Sequence, residues 1–258
     1  MKDLIIGATT KYVKHQLFNY VESIKRCGFT GDKIMVVYDT DDDTIKYLKS
    51  EGWEIFKGEL EGHIHMHRLI TMYWVLRQLD RDYRYMITTD VRDVVFQHNP
   101  SDWLEKNLKK DILVSSENLL YKHCNWGPKN ILEGYNELLL DRYENEQTCN
   151  VGVLAGKYES MRDLLLLNYL VSQAGNTEHF TDQSSFNFIV HNKIAKSNMQ
   201  FTTLGENWAL QIGTLHGWPN PNNDKIIGEQ NHELDEYVIL HQYDRVAAID
   251  SHVNKLLS

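Results

Sequence analysis

Two carboxylates three residues apart, at the end of an apolar run, are the part of this 258-residue chain best equipped for chemistry. Asp90 and Asp93 follow Tyr83–Thr88, a segment of strand character. A Mg2+ or Mn2+ ion takes one or two such carboxylates and keeps positions open for substrate phosphates. On a flat strand the two side chains would point to opposite faces, so they converge only if the chain turns directly after Asp90. A turn aspartate and a surface ion pair with Arg92 would account for the same residues equally well.

His241 is a second candidate. It follows the β-type run Tyr237–Leu240 and opens a polar string, Gln242-Tyr243-Asp244-Arg245. Arg68 is a third: it lies within a turn or so of the start of a helix, where a cation meets the positive end of the dipole, unfavourable by ~0.3–1 kcal/mol. An anion must offset it, either a bound diphosphate or an internal carboxylate such as Glu59 or Glu61. Asp182-Gln183 opens a later helix; the acid suits the dipole there, and the pair could equally hold sugar hydroxyls. Gly152 and Gly156 flank a strand where a bulge or close approach of a ligand is plausible. Tyr12, just past the first strand, could stack on a base or be an ordinary surface tyrosine. His63, His65 and His67 would share a face only on a strand, and they lie where a helix is expected, which disfavours a zinc site.

The elements that position these residues read as strand and helix in alternation. Leu4–Ala8 is a strand running into the turn Gly7-Ala8-Thr9-Thr10, and helical spacing runs from Gln16 to Ile24. Lys33–Tyr38 is a buried-type strand, followed by an acidic turn from Asp39 to Asp43. A helix carrying Ile45 and Leu48 leads to a strand at Trp53–Phe56, and a long helix spans His65–Leu79. After Tyr83–Thr88, strands are expected at Asp111–Ser115, Cys149–Ala155 and Glu236–Leu240, with helices at Met161–Val171 and Asp182–Val190. Trp218–Asn223 reads as a loop. This order predicts an α/β fold with a mostly parallel sheet and helices on both faces, as a single domain over residues 1–258.

Composition narrows the function classes. The formal net charge of −9, with no clustered basic surface, argues against nucleic acid as a partner. Three cysteines without CxxC or zinc spacing suit a reducing compartment. No run approaches the ~20 apolar residues of a transmembrane helix, so a cytoplasmic protein without a transmembrane segment is expected.

In content and order these motifs resemble the GT-A glycosyltransferase superfamily, especially glycogenin-like enzymes and their small bacterial and viral relatives. The first-strand turn is matched by Ile6–Thr10, the arginine before the metal motif by Arg68, and the DxD region by Met86–Gln97. The Asn-x-Gly-Val strand is matched by Asn150–Val153, the Asp-Gln helix start by Asp182-Gln183, and the late metal-binding histidine by His241. One departure stands out: Thr88 occupies the place of the first DxD carboxylate, so Asp90 matches only the second, and Thr88 or Thr89 would have to supply the ribose contact.

The resemblance implies a UDP- or GDP-type nucleoside-diphosphate sugar as donor and a glycan or other hydroxyl as acceptor. It implies Mn2+ or Mg2+ held by Asp90, Asp93 and His241. Residues 1–100 would hold the nucleotide and residues 101–258 face the acceptor. Donor contacts would come from Thr9, Tyr12, Asp39, Arg68, Thr88, Thr89, Asn150, Gly152 and Gln183, with the base near Tyr12 and Asp39. Candidates for a carboxylate base are Glu117, Asp182 and Asp244; the glycogenin-like relatives retain configuration and can dispense with one. Two other classes compete. A sugar-nucleotide nucleotidyltransferase would want a Gly-rich basic loop after the first strand, where Gly7-Ala8-Thr9-Thr10-Lys11 offers one glycine. A noncatalytic nucleotide- or carbohydrate-binding protein would account for Thr88.

Overall fold

A computed structural model describes residues 1–176, 178–179, 181–194, 198–215 and 236–257, together with the backbone of three short strands between 219 and 233. The first half follows the hydrophobic pattern closely. Strand β1 (Leu4–Thr10) leads to helix α1 (Lys14–Arg26), β2 (Asp32–Tyr38), α2 (Asp42–Ser50) and β3 (Glu54–Lys57). Helix α3 (Ile64–Leu79) returns the chain to β4 (Tyr85–Thr89). Beyond it come β5 (Val94–Phe96), α4 (Pro100–Asn107) and β6 (Ile112–Leu120). Two short helices, α5 (Gly127–Gly134) and α6 (Glu137–Tyr143), precede β7 (Gln147–Lys157). The remainder comprises α7 (Tyr158–Gln173), α8 (Asp182–His191), β8 (Met199–Thr202), β9 (Ala209–Gln211), the two-residue strands β10 (Pro219–Asn220), β11 (Lys225–Ile226) and β12 (His232–Glu233), then β13 (Ile239–His241) and α9 (Ala247–Leu257).

The central sheet has the order β3-β2-β1-β4-β7-β6-β8. Every neighbouring pair in it is parallel except the two that involve β7. Side chains of β1 alternate between two apolar layers, as the strand period demands. Leu4, Ile6 and Ala8 pack with α3, α7 and α8, whereas Ile5 packs with α1, α2 and Trp208. The chain leaves β1 toward β2 and β3, then crosses back to place β4 on the other flank. That reversal lies between β1 and β4, and in open α/β sheets ligands collect beyond the carboxyl ends of strands at such a point.

A second sheet, β5-β13-β9, adjoins this edge. Its strands are three residues long, and β5 and β9 are too short to announce themselves by periodicity. β13 covers Ile239–His241 where sequence predicts Glu236–Leu240, and it pairs with β5 antiparallel and β9 parallel. β1 continues through Thr10, so the turn expected at Gly7–Thr10 lies beyond it. The Trp218–Asn223 loop falls mostly outside the described residues; its Pro219–Asn220 pair is strand β10, bonded to β11.

Candidate active site

β4 ends at Thr89, and the chain bends through Val91–Asp93 before β5 begins. This is the turn that Asp90 and Asp93 require in order to face one another. The Asp90 N–H donates to the carbonyl of Gly152 at 2.8 Å, tying the bend to β7. In the second sheet His241 lies opposite Val94 on β5 and beside Gln211 on β9. Gln242 N–H in turn donates to the carbonyl of Asp93 at 2.6 Å. The short sheet therefore carries His241 against the Asp90–Asp93 bend. Ligand atoms of Asp90, Asp93 and His241 lie within 4.8 Å of one another, and no other such group of His, Cys, Asp and Glu occurs among the described residues.

The residues fit a divalent cation on two counts. His241 is buried, its Nδ1 sits 2.5 Å from Gln211 Oε1, and its Nε2 has no hydrogen-bond partner. With the amide oxygen facing it, Nδ1 carries the proton and Nε2 presents a lone pair, the arrangement of a metal-binding imidazole with its supporting acceptor. Gly152 also leaves the space open: a Cβ there would lie 2.5 Å from His241 Cε1 and 2.8 Å from Asp90 Oδ2. Nε2 stands 3.5 Å from Asp90 Oδ2.

The charges around this group are interlocked. Arg68 pairs with Asp90 through Nη1 and with Asp182 through Nη2, the latter at 3.2 Å. These carboxylates, rather than Glu59 or Glu61, are its partners. Burial opposes ionisation of Asp90, but the Arg68 guanidinium outweighs it and holds the carboxyl below its ordinary range. Asp93 is pushed the other way: burial raises it, with Asp90 adding to the rise and Arg92 opposing it. Arg92 also pairs with Asp244 at 2.6 Å.

A second cluster stands further along the wall. Glu117 on β6 is buried, and its Oε1 accepts hydrogen bonds from Asn150 Nδ2 at 2.9 Å and Gln183 Nε2 at 3.0 Å. Burial raises its carboxyl while those two amides hold it back. The β6–β7 register jumps here, from Val114 opposite Leu154 to Ser115 opposite Asn150, so Val151, Gly152 and Val153 have no ladder partner on β6. Such irregularities re-aim side chains near sites. Asn187 secures the region: it is fully buried, accepts from Cys149 N–H, and donates to the carbonyls of Cys149 and Gln183.

These groups line one cleft of about 630 Å3, within the size range of small-ligand sites. Tyr12, Arg68, Asp90, Asp93, Glu117, Asn150, Gly152, Asp182, Gln183 and His241 all contribute to it. Several other residues singled out from sequence lie off its wall, among them Gly156 and the candidate base Asp244, which Arg92 engages. Thr9 is buried on the β1 face it shares with Ile5, and Asp39 sits on an exposed turn with φ 46°. Thr88 Oγ1 lies 3.8 Å from Met72 Sδ under α3, and Thr89 Oγ1 donates to Tyr20 OH beneath α1. Successive residues of a strand point to opposite layers, so neither threonine side chain reaches the cleft. His63 and His67 bond the carbonyls of Glu178 and Glu61, and among the described residues they belong to no metal-ligating group. Sequence reasoning passed over Gln211 and Trp126, and it weighed His65 only for zinc and Arg245 only as part of the polar string after His241. A glutamine directly after the apolar run Trp208-Ala209-Leu210 is the one available signal for the first.

No protein-family model matches the chain, and no curated protein sequence matches it. Among solved structures, the glycosyltransferase GlyE of Streptococcus pneumoniae TIGR4 is similar, with a TM-score of 0.54 and 17% sequence identity. The match covers 93% of this chain and 54% of GlyE, so the chain spans about half the length of the structure it resembles. At that identity the likeness concerns fold, and the chain has an α/β fold like that of a glycosyltransferase.

Proposed function

We propose that the chain is a metal-dependent glycosyltransferase of the GT-A type, acting as one domain on a nucleoside-diphosphate sugar and a hydroxyl acceptor. The observation that carries this reading is the meeting of Asp90, Asp93 and an orphaned His241 Nε2 at the strand reversal of a glycosyltransferase-like fold. The ion, when bound, would act as a Lewis acid that stabilises charge building on the departing diphosphate. Two carboxylates with one imidazole nitrogen suit Mn2+ better than Ca2+, because nitrogen ligation disfavours the harder ion; Mg2+ is the second candidate.

The chain's own groups divide the remaining work. Gln211 keeps His241 in the tautomer that exposes Nε2. Arg68, already at the metal group, supplies a second cation for the phosphates, and Asp182 holds that guanidinium in place. Tyr12 offers a ring for the base at the β1 end of the cleft. In transfer, the acceptor oxygen bonds to the anomeric carbon as its bond to the diphosphate oxygen breaks; the electron pair leaves with the diphosphate. Glu117 suits the receipt of the acceptor's proton better than Asp182. Its carboxyl is raised by burial, whereas the Asp182 carboxylate is engaged by Arg68.

A thermal-shift panel of UDP, GDP and their sugars, with and without Mn2+, tests the binding half. A ligand at a hundred times its Kd stabilises by about 2.7 kcal/mol, a rise of roughly 5–10 °C for a domain of this size. Radiolabelled donors then test the chemistry. Mn2+-dependent hydrolysis or transfer supports the reading, pyrophosphate exchange would indicate a nucleotidyltransferase, and binding without turnover a noncatalytic protein. If no nucleotide raises the melting temperature in the presence of Mn2+, the reading fails.

A further inference from the structure

Gln242 is held in a backbone conformation that its side chain disfavours. Its φ of 58° and ψ of 33° lie in the left-handed region, where a Cβ crowds the following carbonyl. Seven non-glycine residues among those described have positive φ, and Asp39, Asp80, Asn118 and Asn207 are of the types that tolerate it. Lys11, Lys193 and Gln242 are not, and of the seven only Gln242 lines the cleft. Strain of this kind persists where the surroundings impose it, and it gathers at sites that use it.

The surroundings here are specific. The Gln242 N–H is fixed to the Asp93 carbonyl at 2.6 Å, directly after His241, so its backbone belongs to the metal group. Its side chain lies across Gly213, on the turn Ile212–Thr214: a Cβ on Gly213 would run into Gln242 Oε1 and stand 2.9 Å from Cδ. Thr214, the next residue, donates its hydroxyl to the Glu117 carbonyl at 3.2 Å. The side chain thus runs from the metal group onto the turn that is bonded to β6 at Glu117. Half-buried and on the cleft wall, its carboxamide has no hydrogen-bond partner among the described residues. Glycine would take this conformation at no steric cost; the glutamine takes it at a cost and supplies an amide.

That amide has two donors, one acceptor and no charge. Diphosphate oxygens only accept, and Arg68 with the cation already answers them. A sugar hydroxyl both donates and accepts, which is what a carboxamide matches. In the proposed transfer the anomeric carbon passes from the diphosphate, held at the metal group, to an acceptor whose proton goes to Glu117, so the sugar ring lies between those two. We propose that Gln242 is a specificity-determining residue whose carboxamide hydrogen-bonds a ring hydroxyl of the transferred sugar and so selects among epimers of the donor. The proposal rests on the glycosyltransferase reading, and it assigns a residue to the sugar rather than to the nucleotide.

The test is titration calorimetry on the full chain with saturating Mn2+. The probes are UDP with UDP-glucose and its C4 epimer UDP-galactose, and GDP with GDP-mannose and its C2 epimer GDP-glucose. The parent should prefer one member of a pair by about tenfold or more. Gln242→Leu, which keeps bulk but cannot hydrogen-bond, should shrink that preference to about twofold or less, while UDP or GDP alone binds within about twofold of the parent. Gln242→Gly should lose the preference likewise, yet melt within about 2 °C of the parent or above it, because the left-handed backbone suits glycine. If Gln242→Leu fails to fold, Gln242→Gly carries the comparison. A preference retained in a folded variant would overturn the proposal, as would equal losses for nucleotide and nucleotide sugar, or a parent indifferent to both pairs. A Gln242→Gly chain melting more than about 5 °C below the parent would mark the side chain as packing for Gly213 and overturn it too. If the parent binds no nucleotide at all, the donor reading itself falls, and this proposal with it.

Discussion

Gly152→Ala is the most economical probe of the proposed metal centre, because the change adds one methyl group at the point where three elements meet. Built on the existing backbone, that carbon would stand 2.5 Å from His241 Cε1, 2.8 Å from Asp90 Oδ2 and 2.9 Å from His241 Nε2. Ordinary contact begins at 3.4 Å, so the imidazole must retreat by about 0.9 Å. It has little freedom to do so: the ring is buried, pinned at Nδ1 by Gln211, and carried on a strand bonded on both sides. A displacement near 1 Å at a reacting centre can cost ~100-fold, and disturbed support of metal ligands ~10–100-fold in affinity. We therefore expect Mn2+ affinity, measured by titration calorimetry with saturating nucleotide, to fall by about 10–100-fold, or ~1.4–2.7 kcal/mol. Overpacking of the folded apo chain should cost ~1–3 kcal/mol, visible as a melting point lower by roughly 2–12 °C. A folded Gly152→Ala chain that binds Mn2+ within threefold of the parent would refute the placement of the ion between Asp90 and His241.

Asp90→Ala should abolish Mn2+-dependent nucleotide binding in the same titration; retention of Mn2+-stimulated turnover near the parent rate would end the metal assignment. Gln211→Ala removes the acceptor that fixes the His241 tautomer and should lower Mn2+ affinity ~10–100-fold with the ligands intact. Because burial raises the Asp93 carboxyl, protons compete with the cation at mildly acidic pH, so Mn2+ affinity should climb as pH rises through that elevated range. An affinity that stays flat as pH falls toward the ordinary carboxylate range would exclude Asp93 as a ligand. Asp3 is buried beneath a two-pronged contact with Arg84, at 3.0 and 2.9 Å, and accepts the Tyr85 N–H. Burial opposes its ionisation, but Arg84 and the other donors prevail and lower its range. The resulting stability is present above the unfolded carboxyl value and lost as pH falls through the folded one. Asp3→Asn should cost ~1–3 kcal/mol near neutral pH in urea unfolding, with the difference closing in acid.

The parallel part of the fold was legible because each element carries its own signal. β1, β2 and β4 are apolar runs, and α1 shows Leu17, Tyr20, Val21 and Ile24 at helical spacing, all buried. On α3 the sequence points to a stripe of Leu69, Ile70, Tyr73 and Leu76 widened by Met72, Val75 and Leu79; Leu69, Met72, Val75 and Leu76 lie in the core, whereas Ile70, Tyr73 and Leu79 are only partly buried. In the second sheet only β13 overlapped an expected strand; β5 and β9, three residues each, have no period to detect and draw their stability from pairing. Gln211 went unnoticed for the same reason: it matters only through its pairing beside His241, and register between distant short strands is not written in either segment. Thr9, Thr88 and Thr89 show the converse limit. Position at a strand end could be read correctly, but the face on which each side chain lies decides whether it meets the cleft or the core.

The consequence is largest at Thr88. In the DxD pattern both carboxylates come from one short segment, and losing the first would leave a single acid. Here the Thr88 hydroxyl is turned under α3 toward Met72, so it offers nothing to a cation. The bend after Asp90 instead brings up Asp93, whose carbonyl is bonded by Gln242 next to His241. Asp93 is buried and its carboxyl raised, an unfavourable state for an acid without a cation beside it. Arg92 relieves it only partly, at 3.6 Å and while paired with Asp244. A bound divalent ion would offset that cost directly. Under the proposed function, then, the second carboxylate of the site is recruited from beyond the strand end, and the short sheet that holds His241 is also the device that holds the replacement.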